Sequence, residues 1–143
     1  EVTVSSMECG LTEIDGAAEN PDYYDSVDAE QYVTAKPASG KTFCVIASTW
    51  TNVSKEPASL WSHETFSGLI TSDGVEFAPT SEDESYSSAM TSENGYASDT
   101  LNPGDSAEIL TVFSLPEETA VAYLKAADFM DSEGVTFFEA PAN

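Results

Sequence analysis

The feature that most constrains this chain is a ten-residue stretch without glycine or proline, residues 42–51 (TFCVIASTWT). Its β-branched and aromatic residues favour a β-strand. Alternate side chains of a strand point to opposite faces, so Cys44 and Ile46 share one face while Phe43 and Val45 share the other. A strand that is apolar on both faces belongs in the middle of a sheet rather than at its edge.

Shorter strand patterns recur along the chain and are separated by turn signals. The clearest are residues 2–4, 66–70, 75–77, 107–115 and 135–139. Asp73-Gly74, between two of these runs, is a strong hairpin signal. About seven short strands with turns between them predict an all-β, immunoglobulin-like β-sandwich with at most a short helix. A length of 143 residues fits one domain, residues 1–143.

Two acidic segments lack a sustained hydrophobic period, and we predict loops there. They are residues 11–31, with a short strand near Tyr32, and the serine-rich residues 80–99. Residues 117–130 are ambiguous, because their apolar positions fit helical spacing while a period-two interpretation yields a poorer strand face. Local propensity alone slightly favours a helix in this last segment.

The charge balance excludes several classes of partner. The chain carries 26 Asp and Glu against 4 Lys and no Arg, for a formal net charge of -22. Phosphate binding needs Lys and Arg, so we expect neither nucleic acid nor an anionic membrane surface as a partner. No apolar stretch approaches the roughly 20 residues of a membrane-spanning helix. A charged partner is therefore expected to be cationic, and the sequence sets no oligomeric state.

The two cysteines, Cys9 and Cys44, have no zinc-type spacing, which favours a single disulfide. A disulfide indicates an oxidising compartment. The alternative, two buried free thiols in a cytoplasmic protein, stays open at this point. We expect an extracellular or cell-surface protein whose signal or lipid-anchor segment has been removed.

Five strand-plus-turn signatures occur in a fixed order between residues 39 and 125. They are GKTF (40–43), WTNVSKEP (50–57), GLITSDGVEF (68–77), LNPGDS (101–106) and VFSLP (112–116). In order and spacing they resemble the telokin-like, immunoglobulin-type domain of bacterial secreted proteins and lipoproteins, a domain without an assigned function. The resemblance implies a strand at residues 121–125, a secreted or cell-surface location and no catalytic motif.

Candidate catalytic groups are sparse. The single histidine, His63, lies between Ser62 and Glu64, and sequence neighbours cannot form a triad in a strand because alternate residues face opposite sides. A histidine in a surface loop is the favoured interpretation. Cys44 lies in the most apolar strand, where a cysteine is expected to serve the fold rather than to act as a nucleophile. We therefore expect a non-enzymatic protein and rank a small secreted hydrolase last.

Calcium is the best-supported ligand, because it takes six to eight oxygens from carboxylates and carbonyls. No other cofactor is expected. The favoured set of metal ligands is Asp22, Asp25, Asp28 and Glu30, with Asp15 and Glu19 nearby. A second acidic cluster contains Glu82, Asp83 and Glu84, with Glu93 and Asp99 as further members. Neither matches a regular calcium loop, so a solvated acidic loop is the more economical interpretation of both.

Aromatic residues in predicted loops suggest recognition of another molecule. Tyr23 and Tyr24 lie in an acidic loop, and Trp61 follows a turn. Such positions are typical of protein or sugar recognition, and packing of the rings under the rim of the sandwich is an equal alternative. We predict a secreted or cell-surface binding or structural module that contacts an extracellular protein or glycan through residues 21–30 and 81–99. A calcium-dependent extracellular module is the alternative.

Overall fold

A computed structural model describes residues 1–60, 65–93, 100–127 and 135–141. Within them the chain forms strands and one helix in the following order. The elements are β1 (Val2–Leu11), β2 (Ile14–Glu19), β3 (Tyr32–Ala35), β4 (Lys41–Thr51), β5 (Ala58–Ser59), β6 (Phe66–Thr71), β7 (Glu76–Phe77), α1 (Ser81–Glu93), β8 (Thr100–Leu101), β9 (Ser106–Pro116), β10 (Val121–Ala127) and β11 (Val135–Glu139).

Seven of these strands form the two larger sheets, and every pairing within them is antiparallel. One sheet has the order β1-β4-β9, and the other has the order β11-β10-β6-β7. Two small sheets, β2-β3 and β5-β8, complete the arrangement. The prediction of an all-β sandwich with at most a short helix is confirmed.

Strand β4 lies in the middle of its sheet, as its sequence predicted; its inner face is buried, and its outer face is half-buried apart from the fully buried Phe43. Ile46 on the inner face packs with Phe66 and Leu124 of the opposite sheet. Phe43 on the outer face packs with Ile14 and with other residues outside the sandwich core. Burying each such side chain stabilises the fold by about 1.5–3 kcal/mol. The outer face therefore needs a cover, which β2, β3 and α1 provide.

The prediction of a loop over residues 11–31 is wrong for its first part. Strand β2 forms there and pairs with β3, the strand expected near Tyr32. Ile14 and Ala17 are both buried in spite of their odd spacing, because the pairing shifts register between Ile14 and Ala18. Between these two pairings β2 advances four residues while β3 advances two, and such an irregularity breaks the alternation of side chains. Because of that break, β2 does not show the alternation of apolar and polar residues by which a strand is recognised in a sequence.

The prediction of a loop over residues 80–99 is also wrong, because α1 occupies most of it. Thr80 and Asp83 cap its first turn reciprocally. The N–H of Thr80 donates to Asp83 Oδ2 at 2.9 Å, and the N–H of Asp83 donates to Thr80 Oγ1 at 3.1 Å. A hydroxyl residue followed three positions later by an acidic residue is a recognised start signal for a helix.

Helix α1 closes the free edge of β9 through three buried polar side chains, Asp83, Ser87 and Thr91. Each accepts a backbone N–H of β9, from residues 114, 112 and 110 respectively, at 2.8–3.1 Å. The spacing of four along the helix advances about 6 Å, and the spacing of two along the strand advances about 6.6 Å. The two periods match, so one helix face satisfies successive outward N–H groups of the strand.

Residues 121–125 are strand, as the resemblance implied and against the slight local preference for helix. Burial alternates along this segment as it does in a strand: Leu124 is fully buried, whereas the preceding Tyr123 is 44% exposed. β10 is held between β6 and β11. Pairing on both edges outweighs a weak helical propensity.

The motifs that carry the resemblance serve the fold. The side-chain amide of Asn52 donates to the carbonyl oxygens of Glu56 and Leu101, both at 2.8 Å. The backbone N–H of Asn52 donates to the carbonyl of Asp105 at 2.9 Å. Two of the turns that carry the resemblance, residues 50–57 and 101–106, are thereby tied together through one asparagine.

Candidate recognition surface

The loop between β2 and β3, residues 20–31, is closed at its neck by Asn20. Its backbone N–H donates to the carbonyl of Gln31 at 2.9 Å, and its side-chain amide donates to the carbonyl of Glu30 at 2.7 Å. Asn20 Oδ1 also accepts the N–H of Asp22 at 3.0 Å. These bonds define what we call the hairpin tip, residues 20–31, as a hydrogen-bonded projection.

The hairpin tip presents apolar side chains to solvent. Tyr24 is 91% exposed and Val27 is 103% exposed. Tyr23 is partly exposed and holds an edge-on contact with Tyr24, with ring centroids 5.2 Å apart. Apolar groups grouped on a surface and rimmed by polar residues mark interaction sites more often than chance. The structure thus places both predicted contact tyrosines on one projection and adds Val27, which sequence reasoning missed.

The hairpin tip also carries four carboxylates. Asp22, Asp25, Asp28 and Glu30 all belong to the tip, and all four are exposed there. In the part of the chain that the structure describes, no three Asp, Glu, His or Cys side chains are grouped for a metal ion. The four predicted calcium ligands therefore share a loop without sharing a coordination centre. What they do produce is a concentration of negative charge on the loop that carries Tyr24 and Val27.

The remaining predicted site residues lie elsewhere. Trp61 and His63 are outside the described residues, as is Asp99. Of the second acidic cluster, Asp83 is fully buried and accepts three hydrogen bonds, from Thr80 and twice from Ser114. Its carboxylate is committed to the fold and is not available as the contact surface or metal ligand that the sequence suggested.

A groove of about 510 Å³ runs between α1 and the β2–β3 hairpin. Glu19 and Tyr32 line one wall, and Glu84, Ser85 and Ser88 line the other. A second cavity of about 510 Å³ lies against the hairpin and shares Tyr32 with the first. Volumes of this size fall within the range of small-molecule pockets, although both are open to solvent. The acidic and hydroxylic lining extends the polar, negative character of the hairpin.

Tyr86 joins α1 to the outer face of β4. Its ring meets Phe43 edge-on, with centroids 5.7 Å apart. Burial raises the pKa of the Tyr86 phenol above its ordinary value of 10.0, and the negative charge of Glu82 and a hydrogen bond to it raise the pKa further. The negative charge of Asp83 acts in the same direction. Tyr86 thus supports the helix as a neutral anchor.

Cys9 and Cys44 form the predicted disulfide, with their Cα atoms 3.9 Å apart. They are directly opposite each other on β1 and β4. Cys44 is fully buried, and neither cysteine is a free thiol. The bond therefore braces two neighbouring strands of one sheet and offers no nucleophile.

No helix within the described ranges is both long and apolar enough to cross a membrane.

The likeness to known proteins is one of fold. No family model matches the chain, and no curated protein matches it significantly. It is similar to the crystal structure of a conserved hypothetical protein from Bacillus anthracis, with a TM-score of 0.54 and 17% identity over 95% of this chain and 80% of that one. It is also similar to an uncharacterized β-sandwich protein from Clostridium difficile 630, with a TM-score of 0.51 and 14% identity over 96% of this chain and 83% of that one. Both likenesses agree with the sandwich.

Proposed function

We propose that this chain is a non-catalytic binding module of the cell exterior whose hairpin tip contacts a basic surface on an extracellular protein. The observation that carries the proposal is the near-complete exposure of Tyr24 and Val27 on a tip that is itself hydrogen-bonded. An apolar pair held out in water has an unfavourable hydration cost. A partner that covers the pair removes this cost without having to order the loop.

Charge determines which kind of partner is favoured. The four carboxylates around the tip and the net charge of -22 favour a partner rich in Lys and Arg. Attraction of this kind mainly raises the rate of association and weakens as salt is added. The apolar pair would then supply the contact that slows dissociation.

The exterior location rests on the Cys9–Cys44 disulfide, since such bonds persist in oxidising compartments. We also propose, as part of the same hypothesis, that the chain is an immunoglobulin-like domain of the telokin-like family. It is supported by the order of the strand-plus-turn signatures and by the sandwich architecture. A projecting loop on a rigid sandwich is a common way to present contact residues.

The test uses the intact chain, immobilised, against a displayed library of random peptides at physiological salt. We expect enrichment of Lys- and Arg-rich peptides, and we expect the double variant Tyr24→Ser/Val27→Ser to lose those that contact the tip. The matched control is Val53→Ser, because Val53 is also exposed (72%) but lies outside the tip. The proposal would be refuted if every enriched peptide bound the tip variant as well as it binds the control variant.

A glycan array serves as the second arm of the same test. Sugar binding that needs Tyr24, with no peptide enrichment, would overturn the choice of a protein partner. Sugars carry little positive charge, so such binding should also be insensitive to salt.

A further inference from the structure

The outer edge of β1 has no neighbouring strand among the described residues. β1 is paired only with β4, along its whole length. Between residues 3 and 11, no backbone hydrogen bond joins the outer edge of β1 to any residue that the structure describes. An unpaired strand edge presents N–H and C=O groups that can template another strand.

The register identifies which groups point outward. In antiparallel sheets, opposed residues alternate between wide hydrogen-bonded pairs and narrow pairs whose N–H and C=O groups point away from each other. Cys9 and Cys44 form a narrow pair, with Cα atoms 3.9 Å apart. The backbone groups of Cys9 therefore face the outer edge, and so do those of Met7, two residues earlier in an unshifted register.

The opposite edge of the same sheet supports this assignment. If Cys44 directs its backbone groups to β9, then the residues of β9 that face away from β4 are numbers 110, 112 and 114. These are the residues whose N–H groups α1 accepts. One edge of the sheet is thus closed by a dedicated row of side chains, and the other is open.

Few of the usual protective devices are present on β1. Its sequence, VTVSSMECGL, contains no lysine and no proline. The pairing of β1 with β4 does shift register between Val4 and Ser6 and again after Cys9. Residues 6–9 are therefore the longest stretch in the second half of β1 along which the outward backbone groups keep a regular spacing. Irregularities of this kind limit the length of a strand that can add there.

We propose that the outer edge of β1 accepts an extended strand from a partner protein in which apolar and basic residues alternate. Val2, Val4 and Met7 pack against the sandwich core from β1, so apolar residues of an added strand would lie beside them and extend that core. Basic residues at the alternate positions would lie on the other face, beside the exposed Glu8. A second copy of this chain is disfavoured as the occupant, because two molecules of charge -22 repel each other.

The probe is a synthetic peptide of alternating valine and lysine, measured against the intact chain by calorimetry and hydrogen exchange. We expect saturable binding, together with slower exchange at the amides of Met7 and Cys9. Glu8→Lys should weaken the binding by roughly fivefold, the upper range for a cross-strand charge pair. Thr3→Lys does not serve as a control, because it also changes the edge strand. The tip variant Tyr24→Ser/Val27→Ser is the control and should bind the probe normally.

Two N-methylated peptides provide the decisive comparison. One carries N-methyl groups on its valines and the other on its lysines. Successive N–H groups of a strand point to opposite edges, so one of these peptides should lose binding while the other keeps it. Equal binding by both, or no binding of the parent peptide, would refute strand addition. Self-association of the chain in sedimentation, without peptide binding, would show that a second copy is the occupant and would overturn the proposal.

Because the tip and the edge are tested with separate variants, failure of one proposal is distinguishable from failure of the other.

Discussion

The carboxylate of Asp83 accepts two hydrogen bonds from Ser114, one from its backbone N–H at 3.1 Å and one from its hydroxyl at 2.6 Å. The same carboxylate accepts the N–H of Thr80, which begins α1. One buried side chain therefore starts the helix and fastens it to β9. Ser87 and Thr91 repeat the attachment one and two turns later.

Replacing Asp83 with alanine should lower the free energy of unfolding by about 2–4 kcal/mol. The change removes a helix cap and leaves the partly buried N–H of Ser114 without its side-chain acceptor. Urea unfolding monitored by tryptophan fluorescence measures the loss. The control is Glu84→Ala on the same helix, which should change stability by less than about 0.5 kcal/mol. Equal effects of the two substitutions would contradict the role assigned to Asp83.

Removing the disulfide by the double substitution Cys9→Ala/Cys44→Ala should lower the free energy of unfolding by about 3–4 kcal/mol. The estimate follows from the chain entropy restored when a loop with a sequence separation of 35 is opened. Intact mass after alkylation without reductant checks the starting point, since the native chain should take up no label. Two added labels on the native chain would show that the bond is absent.

The raised pKa of Tyr86 predicts a dependence of stability on alkaline pH. Because the folded-state pKa lies above the unfolded value of 10.0, the contribution of the neutral phenol is fully present below pH 10. It is lost as the pH rises through the folded-state pKa. Subtracting the ultraviolet phenolate titration of Tyr86→Phe from that of the native chain isolates this residue. Glu82→Gln should move its titration to lower pH, and an unchanged titration would show that Glu82 does not raise the pKa of Tyr86.

Calcium should not stabilise the chain specifically. The described carboxylates are not grouped for a metal ion, so millimolar calcium should raise the melting temperature no more than sodium chloride of equal ionic strength. Both salts should raise it, because they screen the self-repulsion of a net charge of -22. A rise that saturates with calcium alone would restore the hypothesis of a calcium-dependent module.

The strands could be predicted from the sequence wherever alternation or two-sided burial was intact. Residues 42–51 indicated a central strand because both faces are apolar, and β4 is central. The Asp73-Gly74 pair indicated a hairpin, and β6 and β7 pair around it. The disulfide followed from a count of two cysteines.

Helix α1 escaped prediction for a physical reason. Its face towards the protein carries Asp83, Ser87 and Thr91, which are polar and buried, beside the apolar Tyr86 and Met90, so the apolar stripe of the helix is narrow and hard to recognise. Their partners are backbone groups of β9, more than 15 residues away in sequence, which no local pattern encodes. Only the pair Thr80 and Asp83 signalled a helix start. Strand β2 escaped because a shift of register broke its alternation.

The sequence predicted part of the hairpin tip as a contact surface. Tyr23 and Tyr24 were candidates because aromatic residues in loops are typical of protein or sugar recognition. Their exposure depends on the closure of the loop neck by Asn20, which is a tertiary feature. The grouping of four carboxylates in sequence suggested a metal site, but like charges on a short loop repel one another, and here they form no coordination centre.

The most direct test is hydrogen exchange, residue by residue, on the isolated chain. One sheet has a sealed edge at β9 and an open edge at β1. The amides of residues 110, 112 and 114 should therefore exchange only through global unfolding, whereas those of Met7 and Cys9 should exchange faster by about two orders of magnitude or more. Equal protection of the two sets in the isolated chain would contradict the contrast between the edges, and with it the strand-addition site.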